Sequence, residues 1–300
     1  MPRPLDSYLD AGGARLRYRD EGRGPAVILL HGWTLDLDQW ELQAAALAAD
    51  FRVVRLDRRG FGFSTGSPST AADVADLLAL YAHLGIESAA LVGMSQGARV
   101  VLHFAQSHPQ LISCMILDGP PHLDAAGATD ATGAAGAAGA AGAAGEGAGG
   151  LMGRPSDIPY QYYRELARTK GLEAFRREWS NHELTRLRTT DRGAHSLLAR
   201  MIARYPGRDL TDGHELSDAP GARNREPFDR PSLVISGELD LDSRKRFARH
   251  IALQLPGAEY VEIPGAGHLS NLDNPGAYND ALRQFSQRHA GLPAAMRSVL

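Results

Sequence analysis

Cysteine is nearly absent from this 300-residue chain: Cys114 is the only one. An internal disulfide is thereby excluded, and no Cys/His cluster has the spacing of a metal site. Cys114 lies inside the apolar run 111–117, which predicts a buried, unreactive thiol. Lysine is also scarce, since 30 of the 32 basic residues are arginine, and these are scattered. There is no excess of positive charge, the formal net charge being −3. Nothing in that balance neutralises phosphates, so no nucleic-acid partner is expected. Long apolar runs are missing too. None approaches the roughly 18 residues of a membrane-spanning helix. Residues 1–20 are polar and charged and lack the apolar core of a secretory leader. The expectation is a cytoplasmic protein with no membrane partner.

What is present is a normal globular balance of 43% hydrophobic and 22% charged residues, enough for one large α/β domain with an insertion or for two small domains. Short apolar runs predict strands at 14–18, 26–30, 51–56, 89–92, 111–117, 232–235 and 259–263. Runs that are apolar throughout suit strands buried on both faces. Helical patterns fall between them. Val74, Leu77, Leu78, Tyr81 and Leu84 share one face, and Gly85 supplies a stop. Ala98, Val101, Leu102 and Ala105 predict a second helix, Phe247, Ile251 and Leu255 a third, and Tyr278, Leu282 and Phe285 a last one. Strands alternating with helices imply a mostly parallel sheet covered on both sides.

That alternation breaks between about 125 and 225. Residues 125–150 are all Ala or Gly except Thr129, Asp130, Thr132 and Glu146. Recurrent glycine disfavours helix, and nothing large is available to bury, so a flexible linker is expected. Residues 151–225 then carry helical patterns rich in aromatics and arginine, including Tyr160, Tyr162, Tyr163, Phe175 and Trp179. Ligands of open α/β sheets bind at the carboxyl edge of the strands, so this block reads as a helical cap over that edge. The core would comprise 1–124 and 226–300.

Gly93-Met94-Ser95-Gln96-Gly97 matches G-x-S-x-G, a weak signal alone. Its context is a strand before it and a helix after it. A sharp strand-to-helix turn strains the serine backbone and holds its hydroxyl proud of the sheet, and Gly93 and Gly97 remove side chains that would clash. A serine needs a base. Of eleven histidines, His268 stands out, because it ends a glycine-rich loop directly after the last predicted strand. His83 and His103 lie within helical segments, and His108 and His289 near helix ends. The base needs an anion to set its tautomer. Asp240 and Glu238 follow one strand and Asp118 another, and all three fit the chain order Ser…Asp/Glu…His. Acyl chemistry also needs two backbone N–H donors for an oxyanion. The amide of Gln96, just after the serine, is one candidate. Trp33, in the loop His31-Gly32-Trp33 after the 26–30 strand, is the other, with His31 in a structural role.

With these residues in place the chain resembles the α/β-hydrolase superfamily, specifically its capped esterase, lactonase and thioesterase-like members. Five pieces match in order: His31-Gly32-Trp33; Asp57-Arg58-Arg59-Gly60-Phe61-Gly62-Phe63-Ser64; Gly93 to Gly97; Gly237-Glu238-Leu239-Asp240; and Gly267-His268. They span nearly the whole chain apart from the Ala/Gly segment. The resemblance implies an α/β fold, with a mostly parallel central sheet flanked by helices and a helical cap. It implies Asp240, rather than Asp118 or Glu238, as the acid, and a structural role for 57–64. Ser95 stands where haloalkane dehalogenases and epoxide hydrolases carry an aspartate, and the His-Gly-Gly-Pro loop of proline iminopeptidases is missing, so those activities are disfavoured. The expectation is a hydrolase of a carboxylic ester, lactone or thioester of a small, partly apolar molecule, needing no cofactor or metal. The same machinery also serves C–C hydrolases, perhydrolases, acyltransferases and cyclases, lyases and cofactor-free oxygenases, and a ligand-binding protein without turnover is a further alternative.

Overall fold

The computed structural model describes residues 5–121, 157–212 and 228–291. The Ala/Gly segment 125–150 and both margins of the 151–225 block, with their expected boundaries, therefore lie outside the described residues. Eight strands form one sheet: β1 (Ser7–Ala11), β2 (Ala14–Glu21), β3 (Ala26–Leu30), β4 (Arg52–Leu56), β5 (Ala89–Met94), β6 (Ile112–Asp118), β7 (Ser232–Gly237) and β8 (Glu259–Ile263), in the spatial order β1-β2-β4-β3-β5-β6-β7-β8. β1 pairs antiparallel with β2, and β2 antiparallel with β4. From β4 to β8 every pairing is parallel. The carboxyl ends of five successive neighbours, β3 and β5 to β8, thus share one edge. The chain passes from β3 to β4 on one side and later to β5 on the other. That makes β3/β5 the topological switch point, where a crevice opens between diverging loops.

The helices are α1 (Glu41–Leu47), α2 (Thr70–Leu84), α3 (Gln96–Ser107), α4 (Tyr160–Lys170), α5 (Leu172–Trp179), α6 (Arg192–Arg204), α7 (Arg208–Thr211), α8 (Asp242–Gln254), α9 (Ser270–Asp273) and α10 (Pro275–His289). Side chains alternate across the pleat, so β3 feeds two cores. Val27 and Leu29 join Trp40, Leu47, Tyr278, Leu282 and Phe285 from the α1 and α10 side. Ile28 and Leu30 join Leu77, Tyr81, Phe104 and Phe247 from the α2, α3 and α8 side. This two-sided cover is why β3, β5 and β6 read as unbroken apolar runs; all their residues are buried. Helices α4 to α6 add Tyr163, Phe175, Trp179 and Leu198 to the first core, and Tyr205, which caps α6, joins them.

Three local expectations change. The N-terminal segment contributes an additional edge strand, β1, folded against β2 across a Gly12-Gly13 turn. On α2 the inward residues are Leu77, Leu80 and Tyr81, while Leu78 is exposed. A period of 3.6 residues places Leu77, Leu80, Tyr81 and Leu84 on one stripe, and Leu78 falls off it. The helix begins at the Ser69 cap and ends at Gly85 in the left-handed region, φ +61°. Finally, β8 is an edge strand with Glu259 exposed and three residues only half-buried. A strand paired on one side and open on the other keeps polar residues, and Glu259 and Glu262 do so here.

Phe104 tests this two-core arrangement, since it is fully buried and stacks on Tyr81 with ring centroids 5.5 Å apart. Phe104→Ala is expected to destabilise the fold by about 3–5 kcal/mol through the cavity it leaves. Urea unfolding followed by circular dichroism, with a lowered midpoint at unchanged m-value, checks it.

Candidate active site

β5 delivers Ser95 to the switch point. Its backbone is at φ +50°, ψ −114°, one of two non-glycine residues with positive φ among those described. Its amide donates to the Asp118 carbonyl at 2.7 Å. This turn is possible because α3 starts against bare backbone. A Cβ on Gly97 would lie 2.3 Å from the Leu30 carbonyl oxygen and 2.7 Å from that of His31. One on Gly93 would lie 2.5 Å from the Gly97 backbone. The Gln96 amide opens α3, where the first N–H groups have no carbonyl partner within the helix.

The turns after β7 and β8 are joined in the same way. A Cβ on Gly237 would lie 2.0 Å from the Gly267 oxygen, and the Leu239 amide donates to the Ala266 carbonyl at 2.8 Å. Asp240 and His268 therefore meet, with Nδ1 of His268 2.8 Å from Oδ2 of Asp240 and both residues buried. Burial works against the Asp240 charge. The His268 imidazole, its hydrogen bond and the Leu241 amide outweigh it and hold the carboxyl below its ordinary range. A carboxylate only accepts, so Nδ1 carries the proton and Nε2 is left as the basic nitrogen.

The two other carboxylates go elsewhere. Glu238 is exposed and accepts the Gly265 amide at 2.8 Å. Asp118 is fully buried beside this pair and accepts from the Ser270 hydroxyl at 3.1 Å. Burial, with the nearby Asp240 charge adding to it, pushes Asp118 up to about 8. The next residue, Gly119, has φ +48°, and a Cβ there would lie 2.8 Å from Cε1 of His268. A side chain at 119 would displace the imidazole.

The loop after β3 completes the edge. His31 is buried, accepts the Arg58 amide on Nε2 at 2.9 Å and donates from Nδ1 to the Gly32 carbonyl at 2.8 Å. Burial first, then the Arg58 charge, holds it neutral. In the 57–64 loop Asp57 accepts the amides of Leu37 at 2.7 Å and Phe63 at 2.9 Å. Arg58 is buried, donates to Asp73 at 3.1 Å and also bonds the side-chain oxygen of Gln96. This loop therefore braces both flanks of Ser95.

Trp33 and Ser95 line one small cavity with His268. Leu35, Met94, Ile158, Trp179, Leu184, Thr185 and Leu269 form the rest of its wall, and its empty volume is about 300 Å³, open mouth included. Four residues that the sequence did not single out shape it. Thr34, at φ +64°, accepts the indole N–H of Trp179 at 2.7 Å. Asp209 accepts that of Trp33 at 2.7 Å. Asp273 accepts the amides of Gly267 at 2.8 Å, Arg188 at 2.6 Å and Thr189 at 3.0 Å, tying the His268 loop to the 157–212 block. Gly119 yields space to His268. Only Asp273 carries a local signal, lying five residues after His268; the others pair across the chain. Among the described residues no group of three His, Cys, Asp or Glu side chains is placed to hold a metal ion, and no helix is long and apolar enough to cross a membrane.

Comparison with known proteins places the fold. A family model described as the alpha/beta hydrolase fold matches residues 25–275. A candidate non-heme bromoperoxidase of Mycobacterium tuberculosis is 28% identical over 278 residues, covering 90% of this chain and 97% of its own. The solved enol-lactonase of Burkholderia xenovorans superposes with a TM-score of 0.71 at 24% identity, covering 94% of this chain and 100% of that one. A thermophilic esterase of Thermogutta terrifontis gives 0.70, also at 24%, covering 95% and 98%. At those identities the structural likeness is one of fold.

The raised Asp118 has a measurable consequence. In the unfolded chain it ionises near pH 4, whereas in the folded chain it keeps its proton to about pH 8. The folded state thus binds more protons between these values, and this contribution to stability, complete below about pH 4, is lost as pH rises to about 8. Asp118→Asn is expected to make the fall shallower by up to about 1.4 kcal/mol per pH unit in that window. Urea denaturation at pH 5, 6, 7 and 8 checks it; an unchanged slope would count against a protonated Asp118.

Proposed function

This chain belongs to the α/β-hydrolase fold family, and we propose that within it the protein is a serine hydrolase of a small, partly apolar carboxylic ester, lactone or thioester. It is an enzyme of the α/β-hydrolase class; the substrate and the residue roles are our reading. The observation that carries it is the short His268–Asp240 contact beside Ser95 in one cavity. That contact leaves Nε2 of His268 as the base. Ser95 Oγ attacks the substrate carbonyl carbon and its proton passes to Nε2. The amides of Trp33 and Gln96 hold the oxyanion. Collapse expels the alcohol or thiol with that proton. Water, deprotonated by His268, then attacks the acyl-enzyme and releases the acid and Ser95. Asp240 orients the ring and offsets its transient charge.

The cavity wall supports an uncharged, hydrocarbon-rich acyl group. Its polar side chains besides Ser95 and His268 are already bonded within the protein. The Trp33 N–H goes to Asp209, the Trp179 N–H to Thr34, and the Thr185 hydroxyl to the Trp179 carbonyl at 2.6 Å. Leu35, Met94, Leu184 and Leu269 remain as contact surface. A charged group placed there would be desolvated without a partner, at a cost of several kcal/mol. The helices within 157–212 act as the cap in this reading. The partner in this reading is a small molecule, not nucleic acid or membrane, on the charge balance above.

A second reading is favoured by the name of the Mycobacterium tuberculosis relative. Hydrogen peroxide in place of water at the acyl-enzyme would give a peracid. Adding peroxide during ester turnover and assaying peracid separates the two.

The parent is expected to hydrolyse p-nitrophenyl acetate and to be labelled by a fluorophosphonate. Ser95→Ala is expected to lose the label and at least about 1,000-fold in kcat, and Asp240→Asn about 1,000- to 10,000-fold. A folded parent that neither turns over nor takes the label would sink acyl chemistry at Ser95 and favour a binding role. One that takes the label without cleaving esters would point to another reaction of the fold.

A further inference from the structure

The loop after β3 is gripped from above at successive residues. Asp209, at the start of α7, is fully buried and accepts the Trp33 indole N–H at 2.7 Å. The Tyr205 hydroxyl donates to its other carboxyl oxygen, and the Tyr160 hydroxyl to its backbone carbonyl at 2.8 Å. Around them the Trp33 ring is enclosed by Tyr160, Tyr163, Phe175, Trp179 and Tyr205, with centroids 4.8–6.3 Å away. Trp179 then holds Thr34, whose positive φ is strained for a β-branched residue. Arg204 on α6 bonds Asp36 at 2.7 Å and Asp38 at 2.8 Å.

We propose that Asp209 is a positioning residue for the oxyanion hole, holding through the Trp33 side chain the backbone whose N–H faces the reacting oxygen. The proposal rests on the reading of Ser95 as the nucleophile. A buried carboxylate is a costly way to hold a helical turn that apolar side chains could pack. Here it meets donors that fix a single rotamer of Trp33. An indole bonded at its N–H and packed against five rings holds the Trp33 Cα and Cβ in place, which narrows the positions open to its backbone N–H. The other candidate donor is braced in parallel, since buried Arg58 bonds the Gln96 side chain. Burial raises the Asp209 carboxyl above its ordinary range, and the hydrogen bonds from Tyr205 and Trp33 and the nearby Arg58 charge only partly offset that. The 157–212 helices thus act on the chemistry through the loop they grip, besides walling the cavity.

The test separates this role from general support of the fold. Reactive sites in the full-length parent, Asp209→Asn and Tyr81→Phe are first counted with a fluorophosphonate, so that kcat refers to competent Ser95 alone. Tyr81→Phe removes a hydroxyl bond to the Leu111 carbonyl at 3.1 Å, in the core on the α2 and α3 side, and is the control for lost stability. Asn retains one acceptor for two donors, so Trp33 is loosened at nearly constant volume. Asp209→Asn is expected to lower kcat about 10- to 100-fold with KM within about threefold. Its affinity for n-butylboronic acid, whose serine adduct is tetrahedral and anionic, should fall by the same factor, and Tyr81→Phe should match the parent. Unchanged kcat per labelled site, or a loss in which KM rises as much as kcat falls, would overturn the proposal. If Asp209→Asn does not fold, Trp33→Phe, which deletes the N–H and keeps a ring, is judged by the same criterion. A parent that neither reacts nor takes the label would instead refute the reading of Ser95, and this role would fall with it.

Discussion

Backbone lies directly on backbone where α3 begins, and the geometry of the whole edge follows from that contact. With Gly97 against the carbonyls of Leu30 and His31, there is no room for a gradual turn out of β5. The chain must reverse within one residue, and Ser95 takes a conformation that costs about 1–3 kcal/mol. The same contact sets the loop after β3 beside the start of α3. Trp33 therefore comes to line one cavity with Ser95, although they are 62 positions apart in the chain. A second contact of this kind, Gly237 on Gly267, sets Asp240 against His268. Two glycine contacts thus help gather, at one edge, groups that follow four strands.

Around these contacts the protein buries several ionisable groups, each in an environment of its own. Asp240 is kept ionised by the imidazole beside it, while Asp118, close by and without a cation, keeps its proton. His31 stays neutral because it is dry and lies near Arg58. Arg58 itself is held by Asp73 and bonds Gln96. Two carboxylates on neighbouring strand ends thus take opposite protonation states, and the difference comes from their partners. The 57–64 loop, to which the sequence assigned only a structural role, turns out to be the brace between α2, the β3 loop and α3.

Much of the fold was legible because the signals are local. Unbroken apolar runs marked β3, β5 and β6, since both faces of a central strand are covered. Glycine after Leu84 marked the end of α2, since few other residues accept its φ of +61°. Where a signal was mixed the reading slipped. β8 carries glutamates because it is an edge, and Leu78 fell outside the buried stripe by a single position. Ser95, His268 and the acids after β6 and β7 were visible as residues that end strands, a place where a parallel sheet gathers side chains.

By itself, then, the sequence determined the alternation of strands and helices, the strand-ending residues that line the edge, and the motif order that identifies the family. It left three acids open on chemistry alone. Tertiary structure decided which acid meets the imidazole, because the choice depends on how two turns zip together, and Glu238 and Asp240 are only two residues apart. It alone decided that Asp209 would hold Trp33 across 176 positions, and that Asp273 would bind amides some 85 residues upstream. Strand and helix propensities, caps and turns act over a few residues, so they are written in the local chain. Contacts of that span exist only once two layers have packed, and no short stretch of sequence carries them.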